Sequence, residues 1–402
     1  MDLRSGCSYW TINNGLLATF PRLQRDTRCD VAVVGAGITG ALIARSLCEA
    51  GLDVIVLDKR DAGWGSTAAT TALLQYEIDG GMLDVARRYG EPQAAALFKA
   101  CEQAIRDIEP IAREVRGSHF RRTSSLYFAS WPWHSTRLEQ ESALRRRHGF
   151  EHTVLDRAAL KAEFGIDASV ALLTKVSARM DPYRVAVGVL RRLAERGCQV
   201  FDRTGVLNWE NVPGGLRLTT DRDATVRCKH VVLAAGYETQ EFLPERVAVN
   251  HSTYAMITEP VENLPPWLER TLVWESRRPY IYLRATEQGR LLIGGEDDLI
   301  DLPGKRDRAV QRKSRKLLAK LRKLVGRDDI EKGFAWAGTF AETDDALPFF
   351  GCHDRYGPRV HFAMAYGGNG IVYAVIGAEV IRRQICRQSH PLTRFLSFER
   401  RS

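Results

Sequence analysis

The first strong pattern along the chain is an apolar run, Asp30-Val-Ala-Val-Val34, followed after a glycine-rich turn by Ala41, Leu42, Ala44 and Leu47 at helical spacing. A second apolar run, Asp53-Val-Ile-Val-Leu-Asp58, comes next. Runs without polar alternation suit strands covered on both faces, and 3.6-residue spacing suits an amphipathic helix. The prediction is strand, tight turn, helix, parallel strand. Farther on, Ala94, Ala95, Leu97, Phe98, Cys101, Ile105, Ile108 and Ile111 predict one helix over residues 84–116. Residues 124–129 read as a strand, 136–148 as a charged helix and 156–164 as another. Residues 182–196 read as a helix started by Pro182 and ended by Gly197. Strand-like runs follow at 199–201, 205–210, 216–220, 230–233, 247–258, 280–284 and 290–293, with Glu287-Gln-Gly289 as a hairpin turn. Residues 360–365 read as a strand and 370–385 as a helix.

Parallel-type units at both ends with strand-rich matter between them predict an α/β plus α+β fold. A Rossmann-like dinucleotide-binding domain is expected from the discontinuous segments 1–80, 151–248 and 337–402. A second, antiparallel-sheet substrate domain is expected from 81–150 and 249–336.

The turn after the first strand carries the clearest chemistry. Gly35, Gly37 and Gly40 stand in GxGxxG spacing, with Ala36, Ile38 and Thr39 between them. The first glycine permits the tight turn, and the second lets backbone approach a pyrophosphate. The third lets helix and strand pack closely, while the helix N-terminus offers free N–H groups to phosphate. Asp58 closes the second strand 18 residues past Gly40, where a carboxylate accepts hydrogen bonds from ribose hydroxyls, with Lys59 beside it.

Composition narrows the class. The 402 residues are 45% hydrophobic and 27% charged, which suits a soluble chain of two or three domains. The eight cysteines form no CxxC pair, arguing against a zinc site or disulfide framework and for a reducing cytoplasm; no metal is expected. No apolar run reaches the ~20 residues a bilayer requires, and residues 1–28 lack the apolar core of a secretory signal. The net charge of +9 resides largely in residues 305–323 and Arg145-Arg-Arg147. In the first of these, Val310, Leu317, Leu318, Leu321 and Leu324 recur at helical spacing, so the basic residues read as a solvated helix face. Aromatics do not interleave with these charges, so nucleic acid is not expected as a partner.

Several separated motifs carry a resemblance. They are the GAGITG loop, Gly65-Ser-Thr-Ala-Ala-Thr-Thr71, Val231-Val-Leu-Ala-Ala-Gly236, Tyr280-Ile-Tyr-Leu-Arg284 with Leu292-Ile-Gly-Gly-Glu296, Ala346-Leu-Pro-Phe-Phe-Gly351, and Tyr366-Gly-Gly-Asn-Gly370. With them the chain, from about Ser8 to Arg383, resembles the FAD-dependent oxidoreductases of the D-amino-acid oxidase superfamily. That group contains glycine oxidase and sarcosine oxidase, and within it the chain looks most like the γ-glutamylputrescine-oxidoreductase-like branch. The resemblance implies a flavin held by Gly65, Ser66, Thr67, Thr70 and Thr71, by Ala235 and Gly236, and by Gly367, Gly368, Asn369, Gly370 and Ile371. It implies backbone contacts from Val206 to the adenine. The helix N-terminus after Gly370 would face the ring edge that gains negative charge.

The reaction implied is oxidation of a C–N bond in an amine or amino acid derivative, with oxygen or another acceptor taking the electrons. An NAD-linked dehydrogenase and a tRNA-modifying or maturation flavoprotein are the alternatives. Relatives anchor a substrate carboxylate with an arginine after a Trp-x-Gly pattern. Here Thr339 and Phe340 follow Trp336-Ala-Gly, and Glu342 and Asp344 suggest an acidic site suited to amines. Arg284, flanked by Tyr280 and Tyr282 at period two, is the remaining expectation for a carboxylate anchor. Relatives with covalent flavin use a cysteine near the C-terminal motifs. Cys352 is the one cysteine there, and noncovalent attachment is expected.

Overall fold

A computed structural model of the chain describes residues 2–401; Met1 and Ser402, at the ends of the expected domain ranges, lie outside them. Two sheets organise the structure. The smaller holds Phe349–Cys352, Val360–Met364, Thr225–Leu233, Thr27–Val34, Val54–Leu57 and Gln199–Phe201 in that order. Its members pair in parallel except at the Phe349–Cys352 edge. A meander, Val206–Val212 and Gly215–Thr220, extends off Thr225–Leu233.

The unbroken apolar run in Thr27–Val34 is explained by burial on both faces. Val31 and Val33 enter the cluster formed with the helices, while Ala32 and Val34 enter the cluster on the opposite side of the sheet. Val54 and Val56 against Ile55 and Leu57 divide in the same way. Helices Ile38–Glu49, Pro182–Glu195 and Gly370–Ile385 pack together over the first of these faces.

The larger sheet runs Arg4–Ser5, Lys332–Glu342, Val249–Thr258, Leu291–Asp298, Tyr282–Ala285, Thr271–Glu275, Arg121–Phe128, Val170–Arg179 and Leu73–Gln75, with Thr153–Asp156 also beside Val170–Arg179. Its pairs are antiparallel except Thr271–Glu275 on Arg121–Phe128. Segments 4–5, 73–75 and 153–179, expected in the dinucleotide unit, therefore supply strands to the other sheet. So do Thr339 and Phe340. These strands owe their place to long-range pairing, which local composition does not encode.

The expected helix over 84–116 is two helices, Gly81–Tyr89 and Glu91–Arg113, because Gly90 adopts φ +91° between them. Pro182 begins its helix as expected, with Asp181 accepting from Arg184 N at 2.9 Å as the cap. Helix Pro303–Val325 covers the outer face of the larger sheet through Val310, Leu317 and Leu321. Two of its basic residues turn inward. Arg306 bonds Asp301, Thr339 and Ser5, and Lys313 bonds Asp298 and the Glu296 carbonyl. The remainder of the basic face is mostly exposed. No helix among the described residues is long and apolar enough to cross a membrane.

Candidate active site

One cavity runs from the glycine turn of the smaller sheet to the inner face of the larger one. At its first end, Gly35 (φ +117°) lies against the backbone of Ala234, and a Cβ there would fall 2.3 Å from the Ala234 carbonyl oxygen. A Cβ on Gly40 would fall 1.8 Å from the Gly35 carbonyl oxygen, which is the helix-to-strand closeness the third glycine provides. Gly37 differs. A Cβ there would meet only Thr67 Oγ1, at 3.1 Å, and otherwise enter the cavity. Thr67 Oγ1 accepts from Ile38 N at 2.9 Å, tying the hydroxyl-rich loop to the helix start.

Asp58 accepts from Ala36 N at 2.7 Å and Arg60 N at 2.8 Å. Burial pushes its carboxyl up, and those two hydrogen bonds oppose the rise. A carboxylate has about four acceptor positions, so two remain for hydroxyls. Beside it Glu238 binds Lys59 and Arg60. Burial acts to raise the Glu238 carboxyl, but the hydrogen bonds from Arg60 and Lys59 prevail and hold it at about 2.

The C-terminal turn closes the other end. Gly367 N donates to Ala341 O at 2.8 Å, and Tyr366 Oη donates to Gly236 O at 3.0 Å. Gly368 N donates to Asp79 Oδ2 at 3.0 Å, and Asn369 Nδ2 donates to the carbonyls of Gln75 and Glu77. The helix Gly370–Ile385 thus opens with its N-terminus on the cavity.

Every residue expected at the cofactor lines this cavity except Ala36 and Gly40, which act one layer behind through the Asp58 and Gly35 contacts. The lining also suits a polar, elongated group. Ser66 Oγ and Gln75 Oε1 are buried there without a partner among the described residues, and such atoms are costly unless something bonds them.

Tyr280 and Tyr282 line the larger-sheet end with ring centroids 5.7 Å apart, and Trp274 stands 6.4 Å from Tyr280. Burial pushes both phenols up, so they stay protonated donors. Arg284 stands apart from the two tyrosines. It shares a sheet face with Tyr282 but lies two residues along, outside the lining. There its guanidinium sits 5.1 Å from the Trp10 ring and donates to Met180 O. Burial, then the charge of Arg179, pull it down to about 9. The short helix Tyr9–Asn14, unmarked by periodicity, supplies the covering Trp10.

Thr339 and Phe340 line the cavity, whereas Asp344 is exposed and outside the lining. Asp79, Trp274, Thr253 and Asp297 are lining residues that the sequence does not announce. Asp297 owes its place to a bulge: Tyr254 pairs with Gly295 and Ser252 with Asp298, so Glu296 and Asp297 depart from the register. Burial, then the charge of nearby Asp79, push the Asp297 carboxyl up to about 6 and the Glu342 carboxyl up to about 7. His361 is a buried strand residue between His230 and Cys352 rather than a cavity residue. No cluster of metal-ligating side chains occurs among the described residues.

The family model described as DAO, FAD dependent oxidoreductase, matches residues 30–384. The chain is 24% identical over 382 residues to γ-glutamylputrescine oxidoreductase of Escherichia coli, covering 93% of this chain and 87% of that protein. It is 25% identical over 369 residues to glycine oxidase of Bacillus licheniformis, covering 89% and 93%. The solved glycine oxidase of Geobacillus kaustophilus superposes with a TM-score of 0.77 at 19% identity, covering 92% of this chain and 99% of that one. A glycine turn, a carboxylate at the second strand end and a C-terminal turn on one cavity thus meet a family match over most of the length. The chain belongs to the DAO family of FAD-dependent oxidoreductases.

Proposed function

We propose that this oxidoreductase oxidises a C–N bond of an amine or amino acid derivative, yielding an imine that water hydrolyses. The observation that carries the reading is the continuity of one cavity from the glycine turn to the Tyr280–Tyr282 wall, with the Gly370 helix start opening onto it. FAD, when bound, supplies the hydride acceptor for the C–H next to nitrogen. Backbone N–H groups at Gly37 and Thr39 would hold its pyrophosphate, Asp58 a ribose and Val206 the adenine. The hydroxyls of Ser66, Thr67, Thr70 and Thr71 would lie along the linking chain, with Ala235 and Gly236 beside it and Gly367 to Ile371 at the ring. The N-terminus of the 16-residue helix Gly370–Ile385 favours negative charge at its mouth.

The chain's own task is placement and exclusion of water. Tyr280, Tyr282, Trp274 and Phe340 enclose the reactive end, and the tyrosine hydroxyls retain their protons to orient a polar substrate atom. We read the flavin as noncovalent. Cys352 lies outside the cavity lining, 3.5 Å from His361 Nδ1, and burial pushes its thiol up to about 11, away from the reactive thiolate. Anaerobic mixing of the yellow protein with amines, amino acids and γ-glutamyl amines tests the reaction. Bleaching of the flavin absorbance by at least one nitrogen donor is expected, and none with any member would refute it.

A further inference from the structure

Resting on the amine-oxidising reading above, we propose that the reactive end of the cavity selects by charge. It takes an aliphatic amine that brings an ammonium group and no carboxylate, with Asp297 as the specificity residue on the same cavity wall region as Tyr280 and Tyr282. Asp297 lines the cavity, largely enclosed; the Thr253 side chain hydrogen-bonds its carboxyl, yet its Oδ1 is buried with no partner among the described residues. A buried carboxylate oxygen left unpaired is costly, so the missing partner is a donor, and a cationic one compensates best. The strand bulge at Glu296 and Asp297 is the device that brings this side chain onto the cavity. The tyrosine rings beside it, 5.7 Å apart, present faces that attract cations.

The surrounding charges agree. Asp79 and Glu342 add two further carboxylates to the field at Asp297 and at each other. Against them stands Arg278, half exposed, 3.3 Å from Asp79, lying over Tyr280 at 4.7 Å and outside the cavity lining. His251 lies 3.5 Å from Glu342, but burial favours its neutral form. Lys313 is tied to the Glu296 carbonyl and Asp298. The cationic side chains that do line the cavity, among the described residues, are Lys59 and Arg60, both bound to Glu238 beside Asp58. Asp79 and Asp297 thus line the cavity, with Glu342 just outside the lining, and the one cation facing the three carboxylates, Arg278, is already paired with Asp79.

Calorimetric titration of the FAD-loaded protein under anaerobic conditions tests this with four probes of equal chain length. They are butylamine, butyltrimethylammonium, butyrate and 4-aminobutyrate. The two cations should bind at least ten-fold tighter than butyrate or 4-aminobutyrate. Asp297→Asn should weaken both cations at least ten-fold and leave butyrate no weaker, and Glu342→Gln should produce a smaller loss of cation binding. Equal or tighter binding of a carboxylated probe, or unchanged cation binding in a folded Asp297→Asn protein, overturns the proposal. Should that variant fail to fold, the permanently charged butyltrimethylammonium decides on the native protein: binding that does not tighten between pH 5 and 8 overturns it. The two readings separate cleanly. Cation selection without bleaching by any amine retires the reaction alone, while bleaching by amino acids with carboxylated probes bound tighter retires the charge selection alone.

Discussion

Tyr282 lies across Gly294, its registered partner on the neighbouring strand, so closely that a methyl group at position 294 would fall 2.3 Å from the tyrosine ring. The wall of the reactive end is therefore set by the absence of a side chain as much as by the ring itself. Gly294→Ala should tilt Tyr282 into the cavity at an overpacking cost of roughly 1–3 kcal/mol. The expected outcome is a native-like circular dichroism spectrum, a Tm a few degrees lower, and substrate-driven flavin reduction slowed at least ten-fold. Unchanged reduction would show that Tyr282 does not bound the substrate.

The glycines of the turn should fail in different ways. Gly40→Ala drives a methyl into the Gly35 carbonyl, and neither backbone can yield, so little folded protein is expected. Gly37→Ala meets only the Thr67 hydroxyl, so the protein should fold with near-native Tm but bind FAD at least ten-fold more weakly. Flavin content per folded chain, read from absorbance and melting together, distinguishes the two.

Asp297 exchanges stability for its charge. Its carboxyl titrates at about 6 in the fold because burial disfavours the ion, against an ordinary aspartate value of about 3.9. A raised carboxyl stabilises most below the unfolded value, and that contribution is lost as pH climbs through 6. Above that point the fold bears a cost of roughly 2–3 kcal/mol. Asp297→Asn should therefore melt higher than the native protein at pH 8, in the absence of ligand, and the gain should shrink as pH falls and vanish only below the unfolded value, near pH 3. A pH-independent difference in Tm would show that Asp297 is not held ionised in an enclosed site.

Arg284, covered by Trp10 and outside the cavity, should be dispensable for substrate binding. Arg284→Met replaces a buried cation that lacks a carboxylate hydrogen bond with an apolar chain of similar reach, a change that is often close to neutral in stability. Dissociation constants for amine probes should stay within two-fold of native. A ten-fold loss would place the guanidinium on the ligand.

Cys352→Ala should leave flavin retention unchanged. Acid precipitation is expected to release the yellow colour to the supernatant from native protein and variant alike. Colour that stays with the native pellet and is lost from the variant pellet would establish a covalent link.

The chain dictates its dinucleotide half almost outright. An apolar run buried on both faces, three glycines at fixed spacing and a terminal aspartate are local requirements, so Gly35, Gly37, Gly40 and Asp58 are legible one after another along the chain. The reactive half is decided by tertiary structure. Asp79, Trp274 and Asp297 sit on segments that meet only when strands distant in sequence pair, and a bulge at Glu296 and Asp297 breaks the two-residue alternation from which facing is read. Arg284 shows the converse: alternation places it correctly on the face of Tyr282, yet a six-residue helix from the N-terminus covers it. Periodicity tells which way a side chain points. What stands in front of it depends on packing between elements that share no local signal.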